Sequence, residues 1–176
     1  MTFDITSLDQ FAKVPFPSDY PADRRTFFAP VDDIHGVLKA CVGATTESLA
    51  IAMYGYDDEE LADIVRTLLE ADHIAVQLTL DSSQAGGVHE RALLAREGYP
   101  NAVVAVGRSE KGAIMHEKIA VIDGLVTVTG STNWSLSGEQ KQDNECSVHV
   151  SRAFAARARA RCDAIHAHML ASRRAA

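Results

Sequence analysis

The stretch from Ala113 to Ser135, AIMHEKIAVIDGLVTVTGSTNWS, places a histidine and a lysine in what otherwise has the pattern of β-structure. Side chains two residues apart share one face of a strand, so His116 and Lys118 should point the same way. The returning strand ends at a small polar segment that contains Ser131 and Asn133. We therefore expect an imidazole, an ammonium, a hydroxyl and an amide to converge on one point.

The dipeptide Asp123-Gly124 separates the two apolar runs of this stretch and predicts a two-residue hairpin turn. Such a turn reverses the chain and brings the end of the second strand level with the start of the first. Aspartate is itself a preferred residue in this kind of turn. From the residues alone, Asp123 therefore keeps two interpretations, one catalytic and one structural.

These side chains together suit a phosphoryl group. Lys118 supplies a positive charge for phosphate oxygens, while Ser131 and Asn133 supply hydrogen-bond donors. His116 can attack phosphorus and form a covalent intermediate if an acceptor fixes its tautomer. Glu145, at the start of the next predicted strand, is the expected acceptor. No second group of carboxylates and histidines has metal-ligand spacing in the sequence, so we expect neither a metal nor a cofactor.

The pattern resembles the signature of the phospholipase D superfamily, which is His-x-Lys, four residues, Asp, then Gly-Ser-x-Asn and a later glutamate. The matching positions are His116, Lys118, Asp123, Gly130, Ser131, Asn133 and Glu145. The resemblance extends from residue 27 to residue 170, and His-x-Lys occurs once in the chain. In having a single motif, the chain is similar to the small dimeric bacterial endonucleases of that superfamily.

The resemblance implies a metal-independent phosphodiesterase that works as a homodimer, with one motif per subunit and nucleic acid as the substrate. In the superfamily mechanism one histidine attacks the phosphodiester, and the other protonates the leaving oxygen and then activates water. Carried over, His116 of one subunit is the nucleophile and His116 of the other is the acid–base group. Lys118, Ser131 and Asn133 would bind the phosphate, and Glu145 would orient the site.

Two other functions remain open at this point. The same residues would serve a lipid phosphodiesterase of the phospholipase D or cardiolipin-hydrolase type. The sequence has no clear amphipathic membrane helix apart from its arginine-bearing C-terminal one, and the net charge of −7 would be repelled by anionic lipid. A membrane lipid is therefore the less favoured partner. The third possibility is a binding or assembly protein without turnover, against which the intact motif argues.

The charge of the chain is unevenly distributed, at −10 for residues 1–100 and +3 for residues 101–176. An acidic protein is a poor general binder of nucleic acid, but a local basic site can still bind a phosphate. The sequence has neither a signal peptide pattern nor an apolar run of membrane-spanning length, which predicts a cytoplasmic protein. The three cysteines are widely spaced and predict no disulfide.

Strands that alternate with helices early in the chain, followed by a late hairpin, predict an α/β fold with a mixed β-sheet covered by helices on both faces. We expect an N-terminal arm over residues 1–25 and a single catalytic domain over residues 26–176. Predicted strands are 26–29, 48–56, 74–81, 101–107, 118–123, 125–130 and 145–151. Predicted helices begin at Asp32–Asp33 and within 82–99 and extend over 57–72 and 151–172, with a turn or short helix at 133–142. We interpret Asp81 as a helix N-cap or strand-end acid.

Overall fold

The computed structural model of the chain describes residues 2–85 and 87–175, and for residues 88–90, 174 and 175 it describes the backbone alone. The strands are β1 (Arg24–Ala29), β2 (Ser48–Met53), β3 (Ala75–Asp81), β4 (Val104–Gly107), β5 (Lys118–Ile122), β6 (Val126–Gly130) and β7 (Asn144–Val150). The helices are α1 (Ile34–Gly43), α2 (Glu59–Glu70), α3 (Ser82–Ala85), α4 (Val88–Glu97), α5 (Leu136–Gln140) and α6 (Arg152–Ala175). A 3-10 helix, Ile5–Phe11, precedes them.

The seven strands form one mixed sheet in the order β1-β7-β6-β5-β2-β3-β4. The strands β2, β3 and β4 are parallel, as expected where helices connect consecutive strands. The strand β5 pairs antiparallel with β2 and β6, and β7 pairs antiparallel with β6 and β1. The predicted mixed sheet is confirmed, and its parallel and antiparallel halves meet at the pairing of β2 with β5.

Helices cover both faces of the sheet, as predicted. Alternate residues of β2 reach opposite layers: Leu49 and Ile51 join the core beneath α1 and α2, whereas Ala50 and Ala52 face α6. Because β2 is buried on both faces, its sequence is an almost continuous apolar run instead of an alternating one. The small alanines allow α6 to pack close to the sheet. None of the described helices combines the length and apolar character needed to cross a membrane.

Two aspartates determine where α1 and α2 begin. The Asp33 carboxylate accepts a hydrogen bond from Gly36 N at 2.9 Å, and the Asp58 carboxylate accepts one from Leu61 N at 2.7 Å. Each satisfies a backbone donor that the first turn of a helix leaves unpaired. The helix α2 therefore begins at Glu59, two residues later than predicted, because Asp58 caps it.

The hairpin between β5 and β6 differs from the expected two-residue turn. Ile122 pairs with Val126, which leaves three residues between the strands. Asp123 and Gly124 both have positive φ, at 50° and 58°, and Leu125 N donates to Ile122 O at 3.0 Å. The dipeptide thus forms the turn, but Leu125 does not continue the strand pairing. The pairing of β5 with β6 is consequently shifted by one residue from the pairing that a two-residue loop would give.

Residues 2–25 pack on the sheet domain and are only partly extended. Ile5 and Leu8 of the 3-10 helix are buried in the same core as α1. The Arg25 guanidinium forms an ion pair with Asp9 at 2.6 Å, which ties this segment to β1. Near the opposite end of the chain, Phe154 of α6 is 41% exposed, and its ring stacks on that of His149.

The close approach of β6 and β7 at Gly130 leads to the first prediction. Gly130 has φ of 151°, and a Cβ atom there would lie 2.2 Å from the carbonyl oxygen of Glu145. We expect Gly130→Ala to lower the free energy of unfolding by about 2–4 kcal/mol, because backbone must move to relieve the overlap. Chemical denaturation measures the change. The control is Gly43→Ala, where a Cβ meets nothing within 4 Å and little change is expected. Equal stabilities for the two variants would contradict the argument.

Candidate active site

One edge of the sheet brings together the ends of four strands that carry the predicted site residues or adjoin them. Because β2 and β3 are parallel and β5 runs against β2, the start of β5 lies beside the end of β2, where Met53 pairs with Lys118. The end of β6 and the start of β7 reach the same edge, where Gly130 pairs with Cys146. Polar side chains that come just before or after these strand ends are therefore brought together, whatever their separation in sequence.

His116 lies just before β5, not within it, and its side chain is exposed. Its ring contacts the ring of Tyr54, with centroids 4.5 Å apart at an angle of 61°. A cavity of about 260 Å³ lies beside His116, between the segment before β5 and α6. Arg161 and His168 of α6 also line this cavity, together with Glu117. The imidazole is therefore accessible to a substrate, while Tyr54 restricts its position.

Lys118 is a buried cation, with only 6% of its surface exposed. Its Nζ donates to the carbonyl oxygen of His116 at 3.0 Å and lies 4.8 Å from the centroid of the Tyr54 ring. Among the described residues, no carboxylate lies within ion-pair distance of Nζ. Burial lowers the pKa of Lys118 to about 8, an effect that the neighbouring Glu117 charge partly opposes. An ammonium in this situation is well suited to receive an anion.

Ser131 and Glu145 lie together where β6 and β7 begin to separate. Ser131 Oγ donates to Asn144 Oδ1 at 2.9 Å and accepts from Glu145 N at 3.0 Å, and Ser131 N donates to Glu145 O at 3.0 Å. The Glu145 carboxylate accepts from Ser147 Oγ at 2.7 Å. We expected this carboxylate to fix the tautomer of His116, but within the chain it bonds to Ser147 instead, because Glu145 and Ser147 share one face of β7.

Asn133 connects the polar turn to the end of β2. Its Oδ1 accepts a hydrogen bond from Gly55 N at 3.2 Å, and a Cβ on Gly55 would lie 3.1 Å from the Asn133 amide carbon. Gly55 therefore allows a close approach that a larger residue would disturb. With Oδ1 engaged in this way, the amide nitrogen is oriented as a donor and makes no hydrogen bond to another described residue.

Asp123 lies at the opposite end of the hairpin, about 16 Å from Lys118 along β5. Its carboxylate accepts hydrogen bonds from Glu47 N at 2.8 Å, Ser48 N at 2.9 Å and the Thr46 hydroxyl at 2.7 Å. It thus holds the turn against the start of β2. Of the two interpretations left open by the sequence, this placement favours the structural one.

The structure thus brings five of the six sequence-predicted residues to one edge of the sheet and leaves Asp123 at the other. A small pocket of about 10 Å³ lies where β5, β6 and β7 meet, and its lining includes Lys118, Gly130, Thr132 and Glu145. This edge of the sheet thus carries a buried cation at Lys118, the Asn133 amide as a donor and the exposed His116 imidazole as a nucleophile. This arrangement can bind a tetrahedral oxyanion and attack it.

Sequence reasoning missed the role of Tyr54 and one contact of Asp81, both of which position the site. Tyr54 contacts both His116 and Lys118, and it follows β2 directly. Asp81 is completely buried, and its Oδ2 accepts from Met115 N at 2.6 Å, while Oδ1 accepts from Ser83 N at 2.8 Å. Asp81 therefore caps the next turn, as interpreted, and also anchors the residue before His116. The available signal was that both residues follow buried strands that end at the same edge.

A protein-family model described as "Cardiolipin synthase, PLD-like domain" matches residues 38–165, which is well over half of the chain. The chain belongs to the phospholipase D-like family. Members of the phospholipase D superfamily are phosphodiester hydrolases, so the residues gathered at the sheet edge belong to an enzyme of that class. The resemblance inferred from the His-x-Lys pattern is confirmed.

A curated relative of this phospholipase D-like chain is a mitochondrial cardiolipin hydrolase from Chlamydomonas reinhardtii. The two sequences are 29% identical over 94 residues, which is 53% of this chain and 40% of the relative. The chain thus matches less than half the length of that protein. The similarity supports common ancestry of the matched part, and the relative's whole activity does not follow from it.

Two solved structures share the fold over most of their length. The phospholipase D family member Nuc from Salmonella typhimurium has a TM-score of 0.70 at 14% identity, covering 83% of this chain and 94% of Nuc. NucT from Helicobacter pylori has a TM-score of 0.67 at 18% identity, covering 85% of this chain and 96% of NucT. At these identities the likeness concerns the fold: a phospholipase D-like α/β/α sandwich of comparable size.

The placement of Asp123 leads to a prediction that separates stability from catalysis. We expect Asp123→Asn to lower the free energy of unfolding by about 1–3 kcal/mol, because a neutral amide replaces a charged acceptor of several hydrogen bonds. Burial opposes ionisation, but the hydrogen bonds from Ser48, Thr46 and Glu47 prevail and lower the pKa of Asp123. Its stabilising contribution is therefore present near neutral pH and is lost as pH falls through that lowered pKa.

Denaturation of wild type and Asp123→Asn at neutral and acidic pH measures this contribution, and the difference between them should shrink on acidification. Turnover of a phosphodiester by the folded variant should stay within about twofold of wild type, since the residue does not touch the site. A variant of unchanged stability with strongly reduced turnover would instead assign Asp123 a catalytic role.

The low pKa of Lys118 leads to a prediction about alkaline pH. Since its pKa is about 8, the free enzyme loses this positive charge above that pH, and kcat/KM for a phosphodiester should then fall. In Lys118→Arg, whose guanidinium stays protonated, the fall near pH 8 should disappear even if activity is lower. An identical alkaline fall in this variant would assign it to another group.

Proposed function

We propose that the chain is a metal-independent nuclease that cleaves phosphodiesters through a covalent phosphohistidine on His116, in a homodimer with one motif per subunit. The observation that carries this proposal is the buried Lys118 ammonium, which has no carboxylate partner among the described residues and donates to the backbone carbonyl of His116, the residue with the exposed imidazole. Burying a charge without a counter-ion is unfavourable, so the free site is destabilised relative to one that holds an anion. A substrate phosphate supplies that missing charge.

In the first step, an unprotonated ring nitrogen of His116 attacks phosphorus and forms an N–P bond. The bond from phosphorus to the leaving oxygen breaks, and that oxygen takes a proton from the acid–base group. Lys118 and the Asn133 amide stabilise the charge on the non-bridging oxygens during the transfer. In the second step a water molecule, deprotonated by the same acid–base group, attacks phosphorus and displaces His116. Both histidines thereby return to their starting protonation states.

A second copy of the chain is required because attack on phosphorus and departure of the leaving group occur on opposite sides of it. A nucleophile therefore cannot also protonate the leaving oxygen. His-x-Lys occurs once in the chain, and His116 is exposed at the sheet edge, where a second copy can reach it. A two-fold axis close to this edge would bring His116 of the second copy to the far side of the phosphate.

Nucleic acid is proposed as the substrate because of the basic α6 and the fold that the chain shares with Nuc and NucT. The fold match spans nearly all of Nuc and NucT, which are chains of comparable length. Arg161 and His168 line the cavity beside His116, where they can face further phosphates of a polymer. Arg161 is also paired with Glu117 at 3.6 Å, so a polyanion would compete with that exposed ion pair.

A lipid phosphodiesterase is the second candidate. It is favoured by the family description as a cardiolipin synthase domain and by the relative named as a cardiolipin hydrolase. Both substrates present a phosphodiester, and the groups at the sheet edge contact the phosphate alone. The difference must therefore come from surfaces outside that edge, and a direct assay has to decide between them.

The experiment is a cleavage panel of single-stranded DNA, double-stranded DNA, RNA and cardiolipin vesicles, each with and without EDTA at 25 °C. We expect cleavage of a nucleic acid that persists in EDTA. His116→Ala should lose at least about 1,000-fold in rate, because the nucleophile is removed. The control is His73→Ala, which removes an exposed histidine on the turn between α2 and β3 and should retain wild-type activity. Far-UV circular dichroism verifies folding of both variants.

Each outcome bears on a separate part of the proposal. Cleavage of cardiolipin alone would replace the nuclease with the lipid enzyme, and loss of activity in EDTA at a temperature where the protein stays folded would overturn the metal-free mechanism. Undiminished activity in His116→Ala would remove the phosphohistidine step. A monomeric mass in solution for fully active protein would contradict the shared site.

A further inference from the structure

His35, Asp58 and Glu139 form a compact cluster on the face of the sheet covered by α1 and α2. His35 lies in the first turn of α1, Asp58 caps α2 and Glu139 belongs to α5. His35 Nδ1 is 2.6 Å from Glu139 Oε2 and 3.3 Å from Asp58 Oδ2. One ligand atom from each residue lies within 4.8 Å of the others. Three elements that are distant in sequence thus meet at three potential metal ligands.

The cluster contains more negative charge than its surroundings balance. The Glu139 side chain is inaccessible to solvent, and its Oε1 is buried without a hydrogen-bond partner among the described residues. Asp58 is 8% exposed. The nearest basic side chains bind other acids: Lys39 pairs with Glu60, and Arg96 pairs with Glu59 at 2.7 Å. Burial and the Asp58 charge accordingly raise the pKa of Glu139 to about 7.

We propose that His35, Asp58 and Glu139 bind a divalent transition-metal ion, for which Zn²⁺ is the most suitable probe. An imidazole nitrogen with two carboxylate oxygens is a donor set that such ions accept, whereas Mg²⁺ prefers oxygen ligands alone. Ligands about 2.1 Å from zinc lie roughly 3.4 Å from one another in a tetrahedron. The distance from His35 Nδ1 to Asp58 Oδ2 already matches this value, and the 2.6 Å separation from Glu139 needs a small side-chain adjustment.

The remaining atoms of the cluster are compatible with this site. Asp58 Oδ1 caps α2 through Leu61 N, which leaves Oδ2 for the ion. The unpartnered Oε1 of Glu139 is available as a second oxygen of the same carboxylate. The cluster borders solvent at two places: Asp58 helps to line an open cleft of about 610 Å³, and the His35 side chain is 17% exposed. The ion would replace the proton on His35 Nδ1 and compensate both buried carboxylates at once.

The proposed ion would stabilise the packing of the helices beneath the phosphate-binding turn and would take no part in the chemistry. The segment from Asn133 to Glu139 joins that turn to the cluster, and the carbonyl oxygen of Trp134 already accepts from Asp58 N at 3.0 Å. A metal at Glu139 would cross-link α5 to α1 and α2 and restrict this segment. The site shares no residue with the His116 edge, so binding can be tested independently of the proposed function.

The experiment titrates Zn²⁺ and, separately, Mg²⁺ into EDTA-dialysed protein by calorimetry and follows the melting temperature. We expect one zinc per chain, no comparable magnesium binding, and a rise in Tm of about 5 °C or more at a hundredfold excess over Kd. Glu139→Gln should weaken zinc binding at least about tenfold. Asp58→Asn should do the same while preserving the helix cap, since asparagine caps as well as aspartate. The controls His73→Ala and Glu47→Gln alter exposed residues and should bind zinc normally.

Several results would overturn the proposal. Absence of zinc binding to wild type would leave the cluster as a hydrogen-bonded group in which a protonated His35 balances the carboxylates. If Glu139→Gln and Asp58→Asn both bind zinc with the affinity of wild type, the metal lies elsewhere, for example at the cysteines. If Glu139→Gln does not fold, Asp58→Asn alone decides, because its cap and volume are retained. Activity that fails on every substrate would reject the proposed function and leave this result unaffected.

Discussion

The insertion of β5 between β2 and β6, antiparallel to both, determines where every polar group of the active site can lie. It reverses the direction of the sheet at its centre, so the end of β2 meets the start of β5 and the end of β6. In an all-parallel sheet the start of β5 would lie at the opposite edge. The Asp123 carboxylate fixes this arrangement from the far end, because it holds the hairpin turn against the start of β2.

The same arrangement sets the stability of the fold against phosphate binding at Lys118. Its position opposite Met53 in the sheet buries the side chain, yet the described chain offers its ammonium only a backbone carbonyl and the face of Tyr54. A carboxylate partner would stabilise the folded protein but would occupy the place of a phosphate. Functional sites often retain this kind of local instability, which the rest of the fold must compensate. The extensive core on both faces of the sheet supplies that compensation.

The sequence was informative wherever a local pattern decides the structure. The helix start at Asp33 and the turn at Asp123-Gly124 follow from chemistry within a few residues, and the mixed sheet follows from the order of strands and helices along the chain. Details that depend on distant contacts were missed. The hairpin has three residues instead of two, and Glu145 bonds to Ser147 instead of to His116. Asp81 anchors Met115 across 34 positions, which no periodicity in the sequence can reveal.

The His35 cluster is a second case in which contacts between distant residues could not be predicted from the sequence. Its three residues are separated by 23 and 81 positions, so they have no metal-ligand spacing in the sequence, and only the packing of α1, α2 and α5 brings them together. The sequence-based expectation that the chain binds no metal considered the phosphate site, where a cation is already provided by Lys118. A buried carboxylate with a free oxygen raises a different question, namely what neutralises it. The fold therefore keeps two uncompensated charges apart. Within the described part of the chain, the Lys118 ammonium at the sheet edge lacks an anion, and the Asp58 and Glu139 carboxylates beneath the adjoining turn lack a second cation.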